Sequence, residues 1–417
     1  MSERVLVLGD DLRAFLAVVR SLGRHGLEVH VAPSDFASPA LESRYIAAIH
    51  RLPDYAPAPE AWEEALRSLI AEHDFRLVVP CGDSSLVRLD HHGDSLGRER
   101  LALPNREAFA AFTDKARTRE LARRLGVAVA DGKALGPEEE APALAARYGL
   151  PLLLKPRQSH RVGEAFDKRS ARIVRNVAEL EQALVSGAAE DCLVERFVPG
   201  VGVGLSVIAR NGRLVRAYQH RRLHQTSETG ASSSRISEPV DPALLRSVEK
   251  LAGAVALDGV AMFEFRCDRR SGRHALLEVN PRFWGSLPLA LAAGADFPAL
   301  LYRMIGGEAL EPDPGYRTGL VRRDFTGEYE RLVLHSEGDA PPAERLGAAC
   351  SAILVPILVR PRSIDSWAAD DPAPFRAEWQ ELTRRIATAA LKRLPLPRRL
   401  KRWRIAAAPP AAPEPAP

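Results

Sequence analysis

Residues 259–285 read GVAMFEFRCDRRSGRHALLEVNPRFWG. Two apolar runs, VAMFEF (260–265) and HALLEVN (274–280), are each interrupted by a glutamate and joined by a charged, glycine-containing turn, the pattern of a β-hairpin. With the turn centred on Ser271, Glu264 falls opposite Glu278 and Met262 opposite Asn280. Side-chain alternation then sets Glu264, Glu278 and Asn280 on one face, with Phe263, Phe265, Leu277 and Val279 on the other. Two carboxylates on opposed strands lie roughly 5 Å apart between Cβ atoms, and like charges so placed are destabilising unless a cation lies between them. Two carboxylates and an amide carbonyl form an all-oxygen set suited to a hard ion such as Mg²⁺ (or Mn²⁺), which shares its other positions with waters and phosphate oxygens. The plainer reading, two solvated glutamates on an exposed sheet face, sits poorly with the apolar neighbours and the NPR tripeptide that follows.

The 417 residues suffice for two or three domains with cores of their own. Hydrophobic residues at 46% and charged residues at 27% are the proportions of an ordinary soluble globular chain. A net charge of +4, carried mostly by dispersed arginines, is too small to argue for nucleic acid, and no such partner is expected. No apolar run approaches the ~18 residues needed to cross a bilayer. MSERVLVLGDD reads as a first strand rather than a signal peptide, so a cytoplasmic location is expected. Cys81, Cys192, Cys267 and Cys350 are far apart with no CxxC pair, as expected of reduced thiols. Cys81 in PCGDSS invites a nucleophile reading, but no partner histidine is identifiable.

Residues 4–8, 12–25 and 28–32 read as a βαβ unit. A helix at 59–73, the strand RLVVPCGD (76–83) and a helix from residue 84 continue the alternation, giving an open parallel sheet. The dinucleotide fingerprint is absent: LGDDLR offers one glycine and two aspartates where a pyrophosphate requires glycines, which disfavours a nicotinamide-dependent dehydrogenase. Asp83 either faces a ligand crevice or caps the next helix.

A helix carrying Lys115 is expected over 105–125, closed by Gly126. PLLLK (151–155) is an apolar strand with Lys155 at its exit, placed to meet phosphate oxygens, and the polar, basic stretch 157–172 reads as a mobile loop. DCLVERFV (191–198) is a strand, and Asn211-Gly212 between alternating apolar runs marks a type I′ hairpin, so the sheet there is antiparallel. Gly200, Gly202 and Gly204 alternate with valines, either to let a flat ligand lie close or to bend the strand. His220, Arg221, Arg222 and His224 form a basic cluster, and TSETGASSSR (226–235) behind it reads as a flexible loop carrying Arg235. His220, Arg221 and Arg235 are the candidates for holding a carboxylate or a phosphate. Asp241-Pro242 opens a helix running to about residue 256; further helical stretches cover 287–306 and lie within 367–394. Residues 392–404 hold seven basic residues and no acidic ones. They read as a solvated tail or as a peripheral membrane or protein contact. The final residues are of low complexity and read as disordered.

In order, TDKART (113–118), LLLKPR (152–157), LVERFVPG (193–200), GVAMFEF (259–265) and ALLEVNPRFWGS (275–286) resemble the ATP-grasp superfamily, especially the branch shared with biotin carboxylase and the large subunit of carbamoyl-phosphate synthetase. The resemblance covers roughly residues 1–310. LLEVNPR with the upstream glutamate is the specific part. The resemblance implies a fold of α/β and α+β elements. A Rossmann-like domain with an open parallel sheet would occupy 1–110. An ATP-grasp domain with an antiparallel sheet would occupy 111–310, its small lobe about 130–198 and its large lobe about 199–310. A C-terminal extension, 311–405, and a disordered tail, 406–417, would follow. It implies ATP and Mg²⁺ (or Mn²⁺) as cofactors. By the same resemblance Lys115 and Lys155 contact ATP phosphates, Glu195 and Val198 bound the hinge whose main chain recognises adenine, and Glu264, Glu278 and Asn280 are the metal ligands. Arg282 resembles the arginine that steadies the transferring phosphoryl group, which makes Arg282 and Lys155 the catalytic candidates.

The implied activity is that of an ATP-dependent ligase that phosphorylates a small-molecule carboxylate and couples the acyl phosphate to an amine or other nucleophile. The alternative is a non-catalytic ATP-binding regulatory protein. Three departures limit what carries over. The glycine run of the phosphate-covering loop is replaced by RQSHRVGEAFDKR (157–169). The position of a ribose-binding acid falls near Gly202, and nothing resembles the machinery for bicarbonate or biotin.

Overall fold

A computed structural model describes residues 3–393 except 137, 161–169, 228–229, 269, 311–313, 338–340, 342, 346, 349 and 352–359. The middle of the basic loop 157–172, nearly all of the basic segment 392–404 and the tail 406–417 lie outside the described residues.

Among the described residues, three sheets organise the chain. The first contains β1 (Arg4–Leu8), β2 (Glu28–Ala32), β3 (Ile46–Ile49) and β4 (Leu77–Pro80), all parallel, in the order β3-β2-β1-β4. Its central strands are buried on both faces, as parallel strands require. Val5 and Val7 pack on the helix Ala14–Arg24, and Leu6 and Leu8 on the helix Pro59–His73. Asp11 accepts the N–H groups of Arg13 (2.9 Å), Ala14 (2.6 Å) and Phe15 (3.2 Å). The helix end that would receive a pyrophosphate is thus filled by the chain's own carboxylate, the physical counterpart of the missing glycines.

The second sheet is antiparallel, in the order β5-β8-β6-β7, with β5 (Gly132–Ala134), β6 (Leu152–Pro156), β7 (Arg172–Val174) and β8 (Cys192–Arg196). It packs through Leu152, Leu154 and Val194 on Leu144, Tyr148 and Leu180 from two helices.

The third and largest sheet is antiparallel in the order β13-β12-β9-β10-β11-β14. Its strands are β9 (Val201–Arg210), β10 (Arg213–Gln225), β11 (Ser232–Glu238), β12 (Gly259–Cys267), β13 (His274–Asn280) and β14 (Val321–Arg323). Asn211 and Gly212 both have positive φ (49° and 77°), as the expected type I′ turn demands. On one face Leu205, Val207, Phe263 and Phe265 bury against Leu244, Val248 and Leu251 of the helix Pro242–Ala254 and against Phe112, which meets Phe263 edge-on.

The structure corrects several expectations. The helix expected over 105–125 is two helices, Arg106–Phe112 and Lys115–Arg124, because Asp114 caps the second by accepting from Ala116 N (2.8 Å) and Arg117 N (3.2 Å). The stretch 287–306 is likewise divided at Gly294, whose φ of 99° ends the first helix. The serine-rich stretch read as a flexible loop becomes β11 from Ser232 onward, with Ser233 and Ser234 buried between β10 and β14. In the hairpin, Met262 pairs with Asn280 and Glu264 with Glu278, as the sequence predicts, but a bulge follows and Phe265 pairs with Leu276. Leu276, rather than Leu277, therefore joins Phe263, Phe265 and Val279 in the core.

Residues beyond 310 are built into this frame. They supply β14, and Phe325, Ile364 and Leu382 form a small core of their own. Arg20, on the first helix, donates to Asp371 at 2.8 Å in a buried pair that ties this region to the N-terminal sheet. Among the described residues, no helix is long and apolar enough to cross a membrane.

Candidate active site

The hairpin brings Glu264 and Glu278 face to face on the side of the large sheet away from the Phe263 core. Arg222, on β10, reaches across β9 to hold Glu264. Burial raises the Glu264 carboxyl above its ordinary pKa; Arg222 opposes this and Glu278 adds to it. Burial opposes ionisation of Glu278 too, but Lys115, Lys155 and Arg222 outweigh it and hold that carboxyl below its usual range. The two acids are thus driven apart, as close carboxylates are. Lys115 Nζ lies 3.9 Å from Glu278 and donates to Ser159 Oγ at 2.9 Å. The break at Asp114 places Lys115 in the first turn of its helix.

Asn280 Oδ1 accepts from Arg282 Nη2 at 3.3 Å. Arg282 in turn forks onto Asp83, with contacts of 2.5 and 2.8 Å. Asp83 opens the helix Asp83–His91 but does not cap it, since Gly82 holds that position. Of its two sequence readings, the one facing the crevice fits. The resulting cleft is lined by Asp83, Lys115, Ser159, His160, Glu278 and Asn280.

Lys155, next to last in β6, has its Nζ 2.6 Å from Glu195 and 3.4 Å from the Leu277 carbonyl. Arg119 takes the other Glu195 oxygen at 2.7 Å and also donates to the Gly132 carbonyl at 3.0 Å. Lys155, Glu195 and Arg119 are all buried. Sequence reasoning passed over Arg119, although its position four residues after Lys115 puts both on one helix face. The Glu195 side chain is committed to these two cations. At the end of β8 Arg196 N donates to Asp131 O (2.7 Å), and in the connector toward β9 Phe197 N donates to Pro151 O (3.2 Å), with Val198 half-buried beside it.

The three candidates for an anion do not converge. Arg221 lies on the opposite sheet face and pairs with Glu238 at 2.5 Å. Arg235 is fully buried in β11 and pairs with Asp365. His220 is buried, and burial, with Arg235 and Arg222 nearby, pushes it down to about 3, so it is neutral at pH 7. Arg222, grouped by sequence only with the basic cluster, is the member that reaches the acids. The alternating glycines make its path: a Cβ on Gly202 would lie 2.6 Å from Arg222 Cδ, and one on Gly204 2.2 Å from His220 Cε1. They leave space for side chains of the protein itself rather than for a flat ligand. Cys81 is buried and its thiol is pushed well up by burial, which suits an inert core residue.

Residues 188–323 match the family model described as ATP-grasp in the biosynthetic pathway with Ter operon. An N5-carboxyaminoimidazole ribonucleotide synthase of Pseudomonas aeruginosa is 25% identical over 185 residues, covering 44% of this chain and 49% of that protein. The chain spans about half or less of the length of the curated relatives it matches. Among solved structures, an L-amino acid ligase from Bacillus licheniformis superposes with a TM-score of 0.58 at 17% identity, covering 73% of this chain and 74% of that one. A biotin carboxylase from Campylobacter jejuni in a β,γ-ATP complex gives 0.59 at 19% identity, covering 76% and 74%. With its parallel N-terminal sheet and two antiparallel sheets, the chain shares the fold of these ligase and carboxylase structures, and an ATP-grasp family model matches its residues 188–323.

Proposed function

We propose that the chain is an ATP-dependent ligase that phosphorylates a carboxylate and passes the acyl phosphate to an amine or another nucleophile. The observation that carries this reading is the opposed, half-buried pair Glu264 and Glu278 facing Lys115 and Lys155. Glu264, Glu278 and the Asn280 carbonyl form a hard oxygen set for Mg²⁺ or Mn²⁺. When bound, such an ion withdraws charge from phosphate oxygens. Lys155 uses two of its three donors on Glu195 and Leu277, leaving one for a phosphate oxygen. Lys115 supplies a second cation, and Arg282, oriented by Asp83, presents its guanidinium beside Asn280 toward the transferring group. These residues do the positioning and charge cancellation that phosphoryl transfer requires, and no nucleophilic side chain is needed.

In this reading the lobes about 130–198 and 199–310 enclose the nucleotide, Glu195 to Val198 form the adenine-side hinge, and residues 1–110 contribute Asp83. Arg222, which holds Glu264, is the basic group that would be free for the carboxylate if Glu264 served as a metal ligand. A cytoplasmic setting is part of the proposal. ADP release measured with Mg²⁺ across pools of carboxylates and amines tests it: release that requires a carboxylate is expected, and its absence across the pools overturns the ligase reading. The Arg222–Glu264 ion pair favours a second reading, a regulatory ATP-binding protein without turnover. Tight Mg-ATP binding with no carboxylate-dependent ADP release selects it.

A further inference from the structure

Three histidines from separate elements meet in the N-terminal domain. His30 is on β2, His50 directly follows the edge strand β3, and His73 ends the helix Pro59–His73. One ring nitrogen from each lies within 4.8 Å of the other two. His30 Nδ1 is 2.8 Å from His50 Nε2, and the His73 ring centroid is 5.0 Å from that of His30 and 4.9 Å from that of His50. His30 is buried, the other two are half-buried, and Phe75 packs against all three rings.

The second nitrogen of His30 fixes what the first can do. Nε2 lies 3.0 Å from Glu28 Oε1, and Arg4 Nε donates to the same oxygen at 3.2 Å. Held so by Arg4, the Glu28 carboxylate accepts from His30 Nε2–H, which leaves the lone pair on Nδ1, on the side facing His50. A carboxylate behind a histidine whose other nitrogen faces further ligands is the arrangement that orients imidazoles around metals.

We propose that His30, His50 and His73 bind a divalent transition-metal ion of the zinc class. Three imidazoles select such an ion over Mg²⁺, which prefers oxygen. Two nitrogens on one tetrahedral ion stand about 3.3 Å apart, given bonds of about 2.0–2.1 Å. Binding therefore replaces the 2.8 Å His30–His50 contact, opening it by about half an ångström, and brings ring nitrogens now up to 4.8 Å apart to that common spacing. The fourth position is left to solvent, as the partial exposure of those two rings allows. His73 precedes β4 and Asp83, at the acidic cleft, follows it, so this site is separate from the proposed ATP site and independent of that reading. Its effect is mechanical: the ion joins β2 to the end of β3, an edge strand with half its residues exposed, and to the end of a helix.

The test uses the full chain without an affinity tag, stripped with a chelator and titrated with Zn²⁺ against a chromophoric competitor. One equivalent is expected to bind the native chain. The double variant His50→Gln/His73→Gln, chosen because both rings are half-buried, is expected to bind on the order of 100-fold more weakly or worse, with circular dichroism verifying its fold. Glu28→Gln is expected to weaken binding about 10- to 100-fold, the usual effect of losing such a partner. Glu278→Gln is expected to keep the full equivalent, and Zn²⁺ is expected to raise the melting temperature of the native chain but not of the double variant. Absence of Zn²⁺ binding by the native chain, equal affinity in the folded double variant, or loss of the equivalent in Glu278→Gln would each overturn the proposal, leaving a hydrogen-bonded histidine cluster.

Discussion

Arg222 and Arg235 are cross-strand neighbours on the large sheet, and each is paired with a carboxylate, yet the two pairs differ in kind. Arg235 and Asp365 are 1% and 2% exposed, and Arg235 also donates to the Ser232 carbonyl at 2.9 Å: one cation meets one anion in a closed interior. Glu264, by contrast, stands opposite Glu278, at the edge of a cleft that Lys115 and Arg282 also approach. Pairing is common to both, and burial is complete only in the first. What distinguishes the candidate site is a second acid facing the first with several cations gathered around them, an arrangement a metal and phosphates can exchange into. The closed pair has nothing to exchange.

Removing the second acid gives the largest expected effect. Glu278→Gln should lower ADP release on the order of 10³-fold, the loss of several kcal/mol of charge stabilisation. Its melting temperature should fall modestly, because the attraction to Lys115, Lys155 and Arg222 is lost and the relieved repulsion from Glu264 offsets only part of it. Near-normal turnover would mean that the acidic pair is only structural. At the closed pair the outcome should reverse. Asp365→Ala strands a buried guanidinium and should cost about 3–5 kcal/mol in urea unfolding. A cost near zero would show that Arg235 finds another partner and that the contrast fails.

Gly204→Ala tests the space between the two pairs. The added methyl collides with the His220 ring, and a loss of about 1–3 kcal/mol is expected from overpacking. Unchanged stability would imply that the ring moves aside freely.

Glu378 extends the comparison to a buried acid held by the hydroxyls of Ser366 and Thr326. Burial raises its pKa to about 7, against the pull of those hydrogen bonds. The folded carboxyl binds its proton more tightly than the unfolded one, so this group favours folding at low pH. That contribution is lost as pH rises from the unfolded value, 4.5, through about 7. Glu378→Gln should therefore stabilise the chain at pH 8 by about 1–2 kcal/mol and change little near pH 4. Urea midpoints at the two pH values measure the difference, and an equal effect at both would remove the titration from the account.

The acidic pair was legible in the sequence as two alternating strands joined by a short turn, although the register next to that turn, Cys267 with His274, would set Glu264 against Leu277, and it is the bulge that restores Glu278. The bulge was not: placing Leu276 in the core rather than Leu277 depends on packing against β9 and the helices. β11 was hidden because its serines read as a loop, while in the fold they are sheltered between two strands. Arg119 had a local signal in its spacing from Lys115. Its partner Glu195 lies 76 residues away on a strand of the small sheet, so the triad with Lys155 exists only once that sheet docks on the helix.

By itself the sequence determined the order of strands and helices, the absence of a dinucleotide loop, and the opposed Glu264 and Glu278. These depend on local periodicity and on the chemistry of a few adjacent residues. Only the tertiary structure decided which cations reach the acids, that Arg235 is closed off while Arg222 faces the cleft, and that His30, His50 and His73 meet. Those outcomes depend on sheet order and docking, which bring together residues whose separation along the chain carries no periodic signal.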